Sequence, residues 1–269
     1  MVNERDRQDV SVYSDPRVVD RIDDCFFYHS MDLPQHGLVT GEWDLRHGIE
    51  RYLGHVDFRG KRVLDIGTAS GFLAFWMERQ GAEVIGFDLS EKYPPMDLVP
   101  FGGVIDPEES ASWSAHIRKL NNSFWFTHSL LHSKVRMVYG TVYDIPEGIG
   151  QVDIVTFGSV LLHLRDPFLA LQNALRMTTE TVIVADAIFR QSIPLTLLRL
   201  LKPMVVFLPN AQKASPNDRW WTLTPRTIAE FLKVLGFQRT HINYHVQRYR
   251  GKRRPMYTVV GRRTSQIKG

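Results

Sequence analysis

The chain carries one cysteine, Cys25, in 269 residues. That excludes an intrachain disulfide framework and suits a reducing compartment. No run reaches the roughly 18 uninterrupted apolar residues of a membrane span. The opening residues, MVNERDRQDV, are charged and hold no apolar core, so a secretory signal is not expected and a cytoplasmic location is. There is no internal repeat and no low-complexity tract. The excess of positive charge is small, 33 Lys and Arg against 29 Asp and Glu, a net +4. By itself this does not argue for a nucleic-acid partner. What remains is 43% apolar and 11% aromatic, the composition of a folded globular chain with room for one large domain and appendages.

The most informative stretch is Lys61 to Ser90. A short apolar run (Val63, Leu64, Ile66) leads into Asp65-Ile-Gly67-Thr68-Ala-Ser-Gly71. A helix-period segment follows, then a second apolar run, Val84 to Phe87, that stops at Asp88. Strand, glycine turn, helix, strand and acid form half of a doubly wound fold that binds a nucleoside-bearing cofactor. The two glycines allow a tight turn and close approach to a ligand. Asp88 lies about 20 residues beyond the turn, where a carboxylate can accept from ribose hydroxyls. The dinucleotide pattern G-x-G-x-x-G lacks its third glycine here, which favours a smaller, uncharged bridge over a pyrophosphate.

Asp15-Pro16 reads as a helix start, predicting a helix to about Tyr28. A loop to Arg46 and a short helix, 49–53, complete an N-terminal helical cap over residues 1–58 that can serve as a lid. Residues 59–269 form the cofactor domain, with insertions at 91–133 and 190–222. Within it, strands are expected at 61–66, 83–88, 134–139, 151–157 and 181–186, and helices near 71–80, 112–131, 167–177 and 225–235. Two closing strands, 237–246 and 256–261, flank a basic turn, Arg250 to Pro255. The expected class is α/β: a doubly wound, Rossmann-like, seven-stranded sheet with a closing antiparallel hairpin. The apolar stretch Ile193–Leu208 is expected to be a packed lid helix.

D-x-G-x-x-x-G at Asp65–Gly71 resembles motif I of the class I S-adenosylmethionine (SAM) methyltransferases. Thr141-Val142-Tyr143-Asp144, Gly158-Ser159-Val-Leu-Leu162-His163-Leu-Arg-Asp-Pro167, Phe27-Tyr28-His29, Gly41-Glu-Trp43-Asp44-Leu-Arg46 and Asn217-Asp-Arg219-Trp220-Trp221 extend the likeness. The subgroup they resemble includes the tRNA wobble-uridine (carboxy)methyltransferases and their bacterial relatives. The resemblance implies SAM as cofactor and S-adenosylhomocysteine (SAH) as product. It implies cofactor contacts at Asp65, Gly67, Thr68, Gly71, Asp88, Leu89, Thr141, Val142, Gly158 and Ser159. Leu162 stands where the wobble-uridine enzymes carry Tyr, which points away from carboxymethyl transfer.

His163 reads either as a base for the acceptor or as a histidine bonding its own loop. Tyr28, His29 and Arg46, and likewise Arg219 and Trp220, read either as acceptor contacts or as packing. His116, His128 and His132 have no nearby carboxylate, and no metal is expected. The basic turn reads either as an RNA contact or as a solvated hairpin tip. The expected acceptor is a small molecule, a sugar or natural product, with RNA second. The expected assembly is a monomer or homodimer.

Overall fold

A computed structural model describes residues 11–93, 106–188, 202–209 and 219–264. In chain order the elements are β1 (Met31–Leu33), β2 (Gly37–Val39), β3 (Trp43–Asp44), α1 (Ile49–Tyr52), β4 (Arg62–Ile66), α2 (Phe72–Arg79), β5 (Glu83–Asp88) and α3 (Pro107–Leu131). Then come β6 (Arg136–Tyr139), β7 (Val152–Gly158), α4 (Pro167–Arg176), β8 (Thr178–Ala187), β9 (Val205–Phe207), β10 (Trp221–Leu223), α5 (Pro225–Val234), β11 (Arg239–Tyr249) and β12 (Lys252–Arg262).

The main sheet has the order β3-β11-β12-β8-β7-β4-β5-β6. β6, β5, β4, β7 and β8 are parallel, and β12, β11 and β3 close the sheet antiparallel. The parallel strands are buried on both faces, as crossover helices require, so they read as unbroken apolar runs. One face packs against α2, α3 and the N-terminal segment through Val63, Val84, Ile154 and Ile183. The other packs against α4 and α5 through Leu64, Ile85, Val155 and Val182. The α/β class and the closing hairpin are as expected. A two-residue edge strand, β3, adds an eighth member to the expected seven.

The N-terminal helical cap is corrected. No helix forms over 16–28. The segment runs extended apart from one 3-10 turn at Ile22–Asp24. Its backbone is satisfied across the gap instead of along itself: Phe26 N–H donates to Lys119 O, and Asn122 Nδ2 and Ser123 Oγ donate to Asp24 O and Phe26 O. Val18, Val19 and Ile22 are weak helix formers, so little resists that choice. Arg17 fastens the strap by pairing with Glu91 at 2.9 Å and Asn122 at 2.9 Å. Most of the first insertion's described part is the crossover helix α3 itself. Of the expected lid helix at 193–208, residues 205–207 form a strand paired with β10; 193–201, like Pro94-Pro95, Gly102-Gly103 and Asn217, lie outside the described residues.

The closing hairpin is longer than expected, its turn only Arg250-Gly251. It is tied to α1 through a buried histidine. Gln247 Nε2 donates to His245 Nδ1 at 3.1 Å and to Gly48 O at 3.0 Å. His245 Nε2–H therefore donates to Thr258 Oγ1 at 2.9 Å, and Thr258 Oγ1–H donates to Tyr52 O at 2.8 Å. Burial holds this imidazole neutral, its pKa lowered to about 4. The unfolded chain, with an ordinary histidine near 6.5, binds more protons between these values. Stability from this group is therefore complete above about pH 6.5 and lost as pH falls towards 4, up to about 3 kcal/mol. His245→Leu should unfold about 1–3 kcal/mol more easily at neutral pH, with Gln247 and Thr258 left short of partners. Its stability should also fall less steeply than wild type between pH 6.5 and 4. Urea unfolding at a series of pH values measures both slopes.

Candidate active site

The site lies across the carboxyl ends of β5, β4, β7 and β8, the edge where open α/β sheets bind ligands. It is built from the turn after β4. Asp65 is fully buried and accepts from Thr68 Oγ1 at 2.8 Å and from Thr156 Oγ1 of β7. Burial and the nearby Asp88 raise its carboxyl to about 6, against the pull of the two threonines. Asp65 and Thr68 thus hold the turn from beneath, and their side chains are spent on each other. The turn itself runs through left-handed backbone at Gly67 (φ 72°), Ala69 (φ 50°) and Gly71 (φ 86°).

The turn then reaches both neighbours. Ala69 N–H donates to Asp88 Oδ2 at 2.7 Å, and Leu89 N–H to Asp88 Oδ1 at 2.7 Å. Desolvation raises Asp88 to about 6 while those two donors oppose it. A carboxylate offers about four acceptor sites, so two remain for a diol. Thr141 follows β6 beside it, where Gly140 N–H donates to Asp88 O. Val142 is buried and its carbonyl is held by Asn173 Nδ2. On the other side Ser70 Oγ accepts from His29 N–H at 3.2 Å. The His29 ring is buried, its Nδ1 has no hydrogen-bond partner, and burial lowers its pKa to about 3. His29 is therefore a neutral imidazole, 5.8 Å from the Phe72 ring at the start of α2. Asn121 Oδ1, behind Leu89, is a second buried acceptor without a partner.

At the end of β7, Gly158 leaves little room for a side chain. A Cβ there would sit 2.9 Å from Leu73 and 3.0 Å from the Tyr52 hydroxyl. Ser159 follows at φ 56° and donates its N–H to Ala185 O of β8 at 2.8 Å. His163 closes the short 3-10 turn Leu161–His163, half-buried. Trp220 N–H donates to Leu162 O at 2.8 Å, which brings Arg219 and Trp220 to the same end of the sheet.

Two residues missed by the sequence reading stand here. Tyr52 of α1 is buried against Gly158, and its phenol is raised above its ordinary pKa chiefly by burial. Asp186, the penultimate residue of β8, is also buried. A lone polar residue ending the apolar run Val182–Ala185 was the available signal for Asp186. Tyr52 has none, since an aromatic in a short helix reads as core. Arg46 is placed elsewhere. Its guanidinium is taken by Asp44 at 2.9 Å and Asp32 at 3.0 Å, so two carboxylates occupy the fork that was assigned to an acceptor. Tyr28 accepts from Trp43 Nε1 at 3.2 Å and packs beside His29. His128 bonds Val135 O, and among the described residues no group of three or more His, Cys, Asp or Glu is placed to hold a metal.

A family model described as a methyltransferase domain matches residues 42–245. The chain belongs to that methyltransferase family. The match is to the broad family and does not single out the wobble-uridine subgroup. Two curated proteins named ubiquinone biosynthesis O-methyltransferase share short stretches. The one from Azoarcus sp. is 54% identical over 39 residues, 14% of this chain and 17% of that protein. The one from Neisseria meningitidis is 52% identical over 59 residues, 20% of this chain and 25% of that protein. The alignments thus span a quarter or less of those relatives. Among solved structures, a Bacillus halodurans methyltransferase superposes with TM-score 0.53 at 14% identity, over 81% of this chain and 100% of that one. The N-terminal domain of EvdMO1, solved in the presence of SAH and D-fucose, gives 0.51 at 16% identity, over 90% and 93%. At these identities the likeness speaks for the fold.

The family's methyl donor is SAM, and the residues fit it. A half-buried acid with acceptor sites to spare, a left-handed glycine turn, and uncharged buried acceptors at His29 and Asn121 line one continuous edge. Two glycines separate the two demands of this backbone. At Gly71 a Cβ would meet Phe75 at 2.3 Å and Phe124 at 2.8 Å; at Gly37 (φ 66°) it would meet nothing within 4 Å. Gly37→Ala should therefore cost about 1 kcal/mol, the strain of the left-handed backbone alone. Gly71→Ala should cost about 2–4 kcal/mol, strain plus overpacking. Equal losses by denaturant unfolding would mean that the aromatic pair behind the turn yields freely.

Proposed function

We propose that this methyltransferase transfers the methyl group of SAM to a small-molecule acceptor, a sugar or natural product, at oxygen or nitrogen. The carrying observation is the line of groups along one sheet edge. Asp88 of β5 holds the ribose diol, with Leu89, Thr141 and Val142 bordering the adenine. The Gly67–Gly71 turn, raised on Asp65 and Thr68, passes beneath the methionine part. Gly158, Ser159 and Tyr52 form its far wall. Tyr28, His29, Arg219 and Trp220 then surround the space for the acceptor, and residues 11–58 cover it. The similar proteins point the same way: the two that share short stretches are named ubiquinone biosynthesis O-methyltransferase, and the N-terminal domain of EvdMO1 was solved in the presence of a sugar.

When bound, SAM supplies an activated methyl on a sulfonium, already a good leaving group. The chain's share is then mostly proximity and alignment, worth several kcal/mol when reacting atoms are held in line. Neutral His29 and the buried tyrosines exclude water from the transfer. His163, half-buried in the 3-10 turn after β7, stands at the same end of the sheet. No helix among the described residues is long and apolar enough to cross a membrane.

Labelled SAM incubated with cell extract, then split into RNA, lipid and small-molecule fractions, tests the acceptor class. Label is expected in the small-molecule fraction; label in RNA alone would overturn the choice. For the donor, Asp88→Ala should weaken SAH binding by more than tenfold in calorimetry. Each hydrogen bond to a charged acceptor is worth about 1.5–3 kcal/mol. Unchanged affinity would remove Asp88 from the site.

A further inference from the structure

Asp186 is a buried carboxyl group for which the donor site has no use. It sits on β8, two strands from the glycine turn. The registers Ile66↔Phe157 and Phe157↔Val184 place the turn level with Gly158 and Ala185. Asp186 is thus one residue above the wall of the methionine pocket and one strand beyond it, a sideways step of about 4.8 Å. Across the edge the order is Asp88 on β5, the turn on β4, Gly158-Ser159 on β7, then Asp186 on β8. A donor laid with its ribose at Asp88 points its sulfur end towards Asp186.

The surroundings are chemical rather than structural. Ala187 N–H donates to Oδ1 at 2.7 Å. Tyr257 of β12 lies directly opposite in the register. Tyr28 of the N-terminal strap and Tyr52 of α1 lie within electrostatic reach, and Arg219 reaches it from the segment before β10. Ser159 adjoins through Ala185. Burial raises the Asp186 carboxyl to about 7, while Ala187 N–H and Arg219 pull it down.

We propose that Asp186 is the catalytic base of the transfer, ionising beside the donor's positive charge and taking the proton of an acceptor hydroxyl, which makes the reaction O-methylation. This rests on the donor placement proposed above. In the step, the acceptor oxygen keeps the O–H electron pair and uses it for the new C–O bond. The pair of the broken carbon–sulfur bond stays on sulfur. The proton passes to Asp186 Oδ2, the oxygen not held by Ala187. As the donor's positive charge disappears, the reason for Asp186 to be ionised disappears with it, so the proton is received when it is released.

SAM and SAH differ by one methyl and one charge, so their binding reads this group directly. In wild type, calorimetry in buffers of different ionisation enthalpy should show SAM releasing more protons than SAH near pH 6–7. The ratio of SAM to SAH affinity should climb as pH rises towards 7, by up to tenfold per unit, and level off above it. D186N should flatten that climb while keeping SAH affinity within about threefold; H163Q should leave the climb intact. With labelled SAM and the small-molecule extract fraction, D186N should slow single-turnover transfer by at least 100-fold and remove its acid limb. A climb that persists in D186N, or transfer at wild-type rate, overturns the proposal. Should D186N not fold, carbon-13 spectra of aspartate-labelled wild type serve instead. A carboxyl titrating near 7 with SAH and more than one unit lower with SAM supports the assignment, and no such carboxyl overturns it. Failure to bind either molecule sinks the donor reading itself; binding without this linkage sinks only the role of Asp186.

Discussion

A carboxylate sealed under a glycine turn organises this molecule. Asp65, the penultimate residue of β4, is shared between Thr68 of the turn and Thr156 of β7. A buried acid is costly unless its acceptors are met, and here the two hydroxyls meet them while locking strand to turn and strand to strand. The turn's remaining polar groups are then aimed outward: Ala69 N–H to Asp88 on β5, Ser70 Oγ to His29 on the N-terminal strap. One buried anion therefore sets the register of the sheet centre, the left-handed turn, the presentation of Asp88 and the docking of the strap. Loss of that carboxylate would be felt at four elements that are far apart in the chain.

The same signal, an acid or threonine followed by proline, occurs four times and shows how far sequence carries. At Asp106-Pro107, Asp166-Pro167 and Thr224-Pro225 the side chain caps the backbone and a helix follows. At Asp15-Pro16 no helix follows. Local chemistry is alike in all four; what differs is that Lys119, Asn122 and Ser123 of α3 offer partners to the backbone of the strap. Those partners lie about a hundred residues away and cannot be seen from the segment. Periodicity found the parallel strands and crossover helices because each is specified by its own burial. It missed the edge strand β3, whose two residues have a reason to be extended only when Tyr249 and Arg248 arrive.

The candidate site divides along the same line. The glycine turn and its bond to Asp88 were legible because they follow from backbone shape at short range. The pairing of Arg46 could not be read in advance, because its carboxylates, Asp32 and Asp44, sit on separate strands of the N-terminal segment. Tyr52 and Asp186 were missed because each matters only through the sheet: Tyr52 by abutting Gly158, Asp186 by standing one strand past the turn.

Four ionisable groups at this edge are pushed towards their neutral forms by loss of solvent. His29 falls to about 3, Asp65 and Asp88 rise to about 6, and Asp186 to about 7. The two kinds act oppositely on stability. The histidine withdraws stability as pH drops from 6.5 towards 3, because the unfolded state binds the extra proton. The raised acids add stability as pH drops from about 7 towards 4, because the folded state binds it. The two effects oppose each other over the same range and so cancel in part. The same neutrality makes the edge responsive to a charge brought from outside. A cation arriving among acids poised near 6 or 7 draws them into ionisation, whereas it gains nothing from a histidine that is already neutral. A donor that arrives positive and leaves neutral is matched by an edge of this composition. The energy of that match is available on arrival and withdrawn after transfer, which favours release of the spent molecule over retention.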